Sequence, residues 1–435
     1  MTSRRFLESA QQRQQRRQWS EPQLRAYQLQ RFNELLSVVL PNSEFYQRKY
    51  GLSQLAIDSV DELQQLPMLT KDELVSDQPG KPAAIHHLPA TNYVRFHQTS
   101  GTKGRPLPVL DTRQDWQWWL DCWQYVLDAA DVTPHDRVAM AFSFGPFIGF
   151  WTANDALLAR GAMVIPAGGM SSEARLRLIL HSGATILCGT PTYVMHLAEL
   201  AAIEGLDLTG SRISRVIVAG EPGGSIAEVR EAIEHAWRAR VIDHAGASEL
   251  GAWGFGSRDG CGLYVCEPEF IAETLQPGTD TPAAEGELAE LVLTGLGRLG
   301  GPAIRYRTGD LVRASRRPDL GCNFLHLDGG VVGRNDDMLV IRGVNLFPSG
   351  IEAIVRAIAG MAEYRIRVTN QQTMDQAELE VEVEQRAAQD LEKEIKVRTG
   401  LRIPVHSVPH GFLPRSETKS QRVLDLRQPP FKSGT

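Results

Sequence analysis

The sequence predicts an α/β protein: a large N-terminal domain with parallel βαβ sheets and an antiparallel β-subdomain, followed by a small α+β C-terminal domain. Three observations lead there. Short apolar runs at 138–142, 162–166, 185–188, 216–219 and 240–242 alternate with segments of helical periodicity such as 173–180 and 226–237, the pattern of βαβ units. After Cys261 short alternating runs bounded by Gly and Pro take over, at 287–294, 304–306 and 311–313, which reads as antiparallel strands. Beyond Arg334 the pattern changes again, to a strand at 338–341, a Gly-containing turn, a helix after Pro348 and an alternating stretch at 378–383.

Taken in order, residues 1–90 read as a helical cap. In 21–40 apolar side chains recur at spacings of three and four (Leu24, Tyr27, Leu29, Phe32, Leu35, Leu36, Val39), and Pro41-Asn42 stops the helix. Residues 91–260 form the α/β part and 261–335 the β-rich part, so the N-terminal domain spans 1–335. The small domain takes 336–435, with the boundary at Asn335–Asp336. Trp116, Trp119 and Trp123 fall on one helix face and are expected to pack the core.

Composition narrows the function. The 435 residues carry 46 basic and 52 acidic side chains, a formal charge of −6, and no nucleic-acid partner is expected. The longest apolar run, 138–151, is broken by Ser143, Gly145, Pro146 and Gly149. It is shorter than the roughly 20 residues that span a bilayer, so no membrane partner is expected either. The first residues contain arginines but no apolar stretch of the signal-peptide kind, which makes a cytoplasmic location the expectation. Five cysteines, an odd number scattered through the chain, argue for reduced thiols.

The strongest local signal is the run Thr99-Ser100-Gly101-Thr102-Lys103-Gly104-Arg105-Pro106. Small residues let backbone N–H groups approach an anion, and hydroxyls and cations bind phosphate oxygens. It lacks the spacing of a Walker A loop. Five further segments follow: Ala219-Gly220-Glu221-Pro222, Asp243-His244-Ala245-Gly246-Ala247-Ser248-Glu249, Tyr306-Arg307-Thr308-Gly309-Asp310, the stretch 333–348 ending in IRGVNLFP, and Leu413-Pro414-Arg415-Ser416-Glu417-Thr418-Lys419. Gly220 and Glu221 follow an apolar run, at a strand's C-terminal end, where open α/β sheets bind ligands. Phe144, Gly145, Phe147 and Phe150 could line an apolar slot for a substrate, with Ala219 and Gly246 beside it.

This ordered set resembles the acyl-adenylate-forming (ANL) superfamily, and most closely its phenylacetate–coenzyme A ligase-like branch, over residues 90–425. The resemblance implies an ATP-dependent ligase that activates an aromatic carboxylic acid as acyl-AMP, releases pyrophosphate and transfers the acyl group to coenzyme A. Its alternatives are a different acceptor (a carrier-protein thiol, an amine or a deazaflavin) and a catalytically silent nucleotide-binding homologue. It assigns Lys419 to bridging carboxylate and α-phosphate, Glu249 to Mg²⁺, and Asp310 and Arg334 to the ribose. The nucleotide would be bound by Thr99, Ser100, Gly101, Thr102, Lys103 and Gly104, by Gly220, Glu221 and Pro222, and by Ala245, Gly246 and Ser248. Ala245 stands where relatives carry an adenine-stacking aromatic residue, which leaves His244 as a candidate contact. Asp336 is the implied hinge of a mobile small domain, Gly343 borders the thiol channel, and a homodimer is a common assembly. The branch's zinc site has lost part of its cysteine set, Cys261, Cys266 and Cys322 remaining, and zinc is not expected.

The electrostatics give these cations a task. Two unit charges 4 Å apart repel by about 1 kcal/mol in water and several-fold more in a cleft of lower dielectric. A carboxylate that attacks a polyphosphate therefore needs positive charge where the two meet.

Overall fold

The computed structural model describes residues 9–75, 81–99, 106–142, 145–335, 337–341, 344–371, 374–415 and 422–427. One 12-stranded sheet dominates the larger part. Its parallel half runs Met163–Pro166, Arg137–Met140, Ile186–Gly189, Arg215–Ala219 and Arg240–Ala247 in spatial order. The antiparallel strands do not form a separate layer. Gly251–Gly256, Gly262–Val265, Leu325–Asp328, Tyr306–Arg316, Leu288–Gly295 and Phe270–Leu275 extend the same sheet, because Arg240–Ala247 turns directly back into Gly251–Gly256.

Period-two alternation sorts the parallel strands' side chains into two cores. Val138, Met140, Ile186, Cys188, Ile217 and Ile242 face one side, with helices Arg113–Ala129 and Ile148–Arg160. Ala139, Leu187, Val216, Val218 and Val241 face the other, with Ser172–His181, Pro191–Ile203 and Ala227–Trp237. The tryptophans of Arg113–Ala129 are buried as expected, each indole N–H finding an acceptor: Trp116 on Asp155 (2.9 Å), Trp119 on Asp111 (3.2 Å) and Trp123 on Thr152 (3.0 Å).

One expectation needs correction. The runs 304–306 and 311–313 are parts of one strand, Tyr306–Arg316, whose pairing with Leu288–Gly295 shifts register between Glu290 and Val292. Gly309, at φ +75°, lets the chain bulge there without ending the strand. The cap is α-helical over Ala10–Arg16, Glu21–Val39, Glu44–Tyr50 and Lys71–Leu74, and the short Val60–Gln65 is a 3₁₀ turn.

Beyond Arg334 a hairpin of Leu339–Ile341 and Val344–Leu346 precedes a four-stranded sheet in the order Val405–Ser407, Met374–Val381, Tyr364–Gln371, Val423–Asp425. Helices Pro348–Ala359 and Gln385–Thr399 complete a third core around Ile351, Val355, Val368, Leu379, Leu391 and Ile395. This unit meets the larger one where Pro348–Ala359 packs on Ala227–Trp237 and Met361 touches the second core.

Candidate active site

Ala219, Gly220 and Glu221 lie at the C-terminal end of the parallel strand Arg215–Ala219, the end at which open α/β sheets bind ligands. Ala219 lies in register with His244 on the neighbouring strand. Gly220, at φ +94°, turns the chain off the strand into Glu221-Pro222. The Glu221 carboxylate accepts the Thr192 N–H (2.8 Å) in the first turn of Pro191–Ile203, the favoured place for an anion on a helix. Its side chain thereby ties strand end to helix.

The strand Arg240–Ala247 distributes its residues on two faces. Asp243 is held by the Ser225 hydroxyl (2.6 Å) and the His244 N–H (2.9 Å), and burial pushes its carboxyl up to about 6. His244 points the other way. Its ring lies 4.4 Å from Trp123, its Nδ1–H donates to the Gly254 carbonyl (2.7 Å), and burial lowers its pKa to about 4 despite that bond. A neutral imidazole committed to Trp123 and a backbone carbonyl belongs to the packed side of the sheet. Ala245 faces Gly254, where a Cβ would come within 3.1 Å of the alanine's. The register shifts at Gly246, where a Cβ would sit 3.0 Å from the Gly251 carbonyl oxygen, so the small residue is a packing requirement.

Ser248 and Glu249 close the turn. Arg298, buried and paired with buried Asp111 at 2.8 Å, donates to the Ser248 carbonyl (2.7 Å). Asp111 lies on Pro108–Thr112, the second strand of a hairpin with Tyr93–Gln98. That hairpin's connection carries the hydroxyl- and glycine-rich run, so the buried pair fastens it to the Glu249 turn. The hairpin base is pinned by Thr99, whose Oγ1 accepts the Leu107 N–H (3.0 Å). Glu249 is 7 % exposed, and its Oε1 accepts the Tyr306 hydroxyl (2.7 Å). Burial first, and the Glu249 charge second, push the Tyr306 phenol far above its ordinary range, which keeps it a donor.

The Tyr306–Arg316 bulge places Asp310 beside Arg334. Arg334 donates to Asp310 Oδ1 (2.7 Å) and to the Thr308 carbonyl (3.2 Å), and the two residues are paired across strands. Thr308 Oγ1 spans the bulge, donating to Leu291 O (2.7 Å) and accepting the Asp310 N–H (2.9 Å). Glu249, Tyr306, Asp310 and Arg334 interact electrostatically as one cluster. Tyr306 and Thr308 were not singled out in the sequence, although both lie in the Tyr306-Arg307-Thr308-Gly309-Asp310 segment that carried the signal.

Of the residues expected to line an apolar slot, Gly145, Phe147 and Phe150 are described, and Phe150 is buried in the core. Trp151 Nε1 donates to the Gly145 carbonyl (2.8 Å), and Phe150 packs edge-on against Phe142 and Trp151. Phe147 is 44 % exposed at the start of Ile148–Arg160. The Gln98 N–H donates to the Pro146 carbonyl (2.9 Å), setting the slot against the hairpin. Ser100, Gly101, Thr102, Lys103, Gly104, Phe144, Asp336, Gly343 and Lys419 lie outside the described residues.

Glu249 suits Mg²⁺, which commonly takes one or two carboxylates and fills its remaining positions with phosphate oxygens and water. Among the described residues no group of three or more His, Cys, Asp or Glu converges on a metal position. Cys261 is exposed, Cys266 and Cys322 are buried, and His326 donates through Nδ1 to Asp328 (2.8 Å).

Comparison with known proteins agrees with this layout. Residues 41–286 match the model of the AMP-binding enzyme family, and residues 343–427 that of the AMP-binding enzyme C-terminal domain. A phenylacetate-coenzyme A ligase of Escherichia coli (strain K12) is 33 % identical over 429 residues, 94 % of this chain and 96 % of the relative. A crystal structure of 2-hydroxyisobutyryl-CoA ligase in the postadenylation state superposes with a TM-score of 0.89 at 25 % identity, covering 98 % of this chain and 95 % of that one. With the same ligase in complex with 2-HIB-AMP and CoA in the thioesterification state, at 26 % identity and the same coverage, the TM-score is 0.72. The chain belongs to the AMP-binding enzyme family, in its phenylacetate–coenzyme A ligase-like branch.

Proposed function

We propose that the protein joins an aromatic carboxylic acid to coenzyme A through an acyl-adenylate. The coarser statement follows from its family and relatives: it is an ATP-dependent acid–thiol ligase. Two contacts support the reading: the Tyr306-held Glu249 offers a carboxylate suited to a metal-bound triphosphate, and the Arg334-held Asp310 offers an acceptor for sugar hydroxyls. The aromatic preference is supported by the likeness to phenylacetate-coenzyme A ligases.

In the first step a carboxylate oxygen of the acid attacks the α-phosphorus of ATP and the bond to pyrophosphate breaks. Lys419 supplies positive charge between the two anions, and the hydroxyl- and glycine-rich run 99–104 holds the departing phosphates. Mg²⁺ on Glu249 would neutralise charge on the triphosphate when bound. Asp310 offers acceptors to the ribose hydroxyls while Arg334 fixes its orientation. Gly220, Pro222 and Ala245 border the base through backbone and small side chains. In the second step the coenzyme A sulfur, having lost its proton, attacks the acyl carbon and AMP leaves with the anhydride oxygen. Residues 336–435 turn about Asp336 between the steps, and Gly343 gives the thiol room. The cytoplasm is the expected setting for such chemistry.

The test is acid-dependent ATP–pyrophosphate exchange across aryl acids, phenylacetate included, and alkyl acids, with the products in coenzyme A identified by mass spectrometry. Exchange fastest with an aryl acid and yielding its thioester is expected. Faster exchange with short alkyl acids would overturn the aromatic preference, and an adenylate that coenzyme A leaves untouched would overturn the acceptor.

A further inference from the structure

The tryptophan run of helix Arg113–Ala129 meets the turn that carries Glu249, a contact the chemistry above does not use. A Cβ at Gly251 would come within 2.8 Å of the Trp118 ring, and Gly297 has no room for a Cβ against the same ring. Gly251 lies two residues after Glu249, and Gly297 directly precedes Arg298. One indole thus sets how closely the Glu249 turn and the Arg298 segment approach each other.

The Arg298 backbone is fixed on both sides. The Leu296 N–H donates to the Glu269 carbonyl (2.9 Å), and the Gly300 N–H donates to the buried Asp115 carboxylate (3.1 Å). From that base the guanidinium spans two other segments. Its Nη1 donates to the Ser248 carbonyl (2.7 Å), while Nη2 meets Asp111 Oδ1 at 2.8 Å and the Leu110 carbonyl at 3.4 Å. The Trp119 indole N–H donates to the same Asp111 oxygen (3.2 Å), and the guanidinium lies over the Trp119 ring, 5.8 Å from its centre.

The pair is poorly arranged for stability alone. Arg298 is 1 % and Asp111 0 % exposed, yet Arg298 Nε and Asp111 Oδ2 have no hydrogen-bond partner among the described residues. His97 Nδ1 stands 3.9 Å from that Asp111 oxygen, and burial first, then the charges of Arg95 and Arg298, lower its pKa to about 4, so it adds no cation. Apolar side chains of similar volume often match or exceed such a pair in stability. What they cannot supply is a directed donor for the Ser248 carbonyl. That carbonyl shares a rigid peptide plane with the Glu249 nitrogen and Cα. Arg298 therefore fixes Glu249 from the backbone side, as Tyr306 does from the carboxylate side.

We propose that Arg298 is a positioning residue for the metal-bound nucleotide: by holding the Ser248–Glu249 peptide plane it presents the Glu249 carboxylate to the cation on the triphosphate. This rests on the reading of Glu249 as the carboxylate for Mg²⁺.

Calorimetry of ATP binding to the full-length protein, without acid and with or without Mg²⁺, measures how much the metal adds to affinity. Glu249→Gln should abolish that increment. The double variant Arg298→Met/Asp111→Val leaves no charge of the pair buried alone; it should fold by thermal unfolding, cut the increment about tenfold and bind metal-free ATP as the wild type does. Arg298→Lys keeps a donor for the Ser248 carbonyl and should recover part of the increment. If Glu249→Gln keeps the increment, the reading of Glu249 fails and the proposal with it. If Glu249→Gln abolishes it while the folded double variant keeps it, or if the double variant weakens ATP alike with and without metal, the positioning role is overturned. A double variant unable to fold would overturn it too, by making the pair a structural necessity.

Discussion

The strand-end side of the site and the Glu199–Arg415 contact are both built from arginines and carboxylates, yet they are held in different ways. Asp310 and Arg334 are also joined by backbone pairing, and Glu249 is anchored through Tyr306 and a turn fixed by the buried Arg298–Asp111 pair. The Asp310–Arg334 pair cannot part without breaking strand pairing in the large sheet. Glu199 and Arg415 belong to units with separate cores, and among the described residues no backbone hydrogen bond joins the helix Pro191–Ile203 to the segment that carries Arg415. Side chains alone join them there. A buried pair that loses one partner costs about 3–5 kcal/mol, whereas partly exposed pairs contribute about 0–1 kcal/mol.

Four substitutions probe that contrast. The largest stability effect is expected from Asp243→Asn. The carboxyl's folded pKa of about 6 lies above its ordinary 3.8, so wild-type stability is full below pH 4 and falls as pH rises through 6. The uncharged variant escapes that loss. Its advantage should grow from near zero at pH 4 to about 3 kcal/mol above pH 7 in denaturant unfolding. A pH-independent difference would show that the site relaxes around the charge.

Asp310→Ala comes next. Losing a charge-assisted partner of the ribose should raise KM for ATP about 10- to 100-fold, equivalent to roughly 1.5–3 kcal/mol. An unchanged KM would make the Asp310–Arg334 pair purely structural. Tyr306→Phe removes one hydrogen bond to Glu249 and should cost about 1 kcal/mol by thermal unfolding, with a several-fold weaker dependence of exchange on magnesium. Glu199→Gln comes last, at up to about 1 kcal/mol, because the glutamine keeps one oxygen that accepts from Arg415. A large loss of stability there would erase the contrast between the two regions.

Much of this was legible before any coordinates. The inner parallel strands announce themselves because they are buried on both faces and so read as continuous apolar runs. The helices Glu21–Val39, Ser172–His181 and Ala227–Trp237 follow from periodicity, their ends within a residue or two of expectation. The strand Tyr306–Arg316 was read as two because its bulge is polar and contains glycine, which locally resembles a turn. The destination of His244 was hidden for a similar reason. Its neighbours in sequence are expected site residues, but alternation along the strand sends its ring to Trp123.

The sequence by itself determined the family, the fold class and the order of chemical groups, since each motif is a local arrangement of residue types with a local physical purpose. It also carried Arg415 within the last motif, without a partner. Only the tertiary structure decided that Arg415 meets Glu199, that Tyr306 caps Glu249 and that Asp111 grips the Glu249 turn through Arg298. The Glu199–Arg415 contact joins residues 216 positions apart. No propensity or periodicity encodes such a separation; it arises when packed cores bring distant charges together and burial makes pairing the lowest-energy outcome.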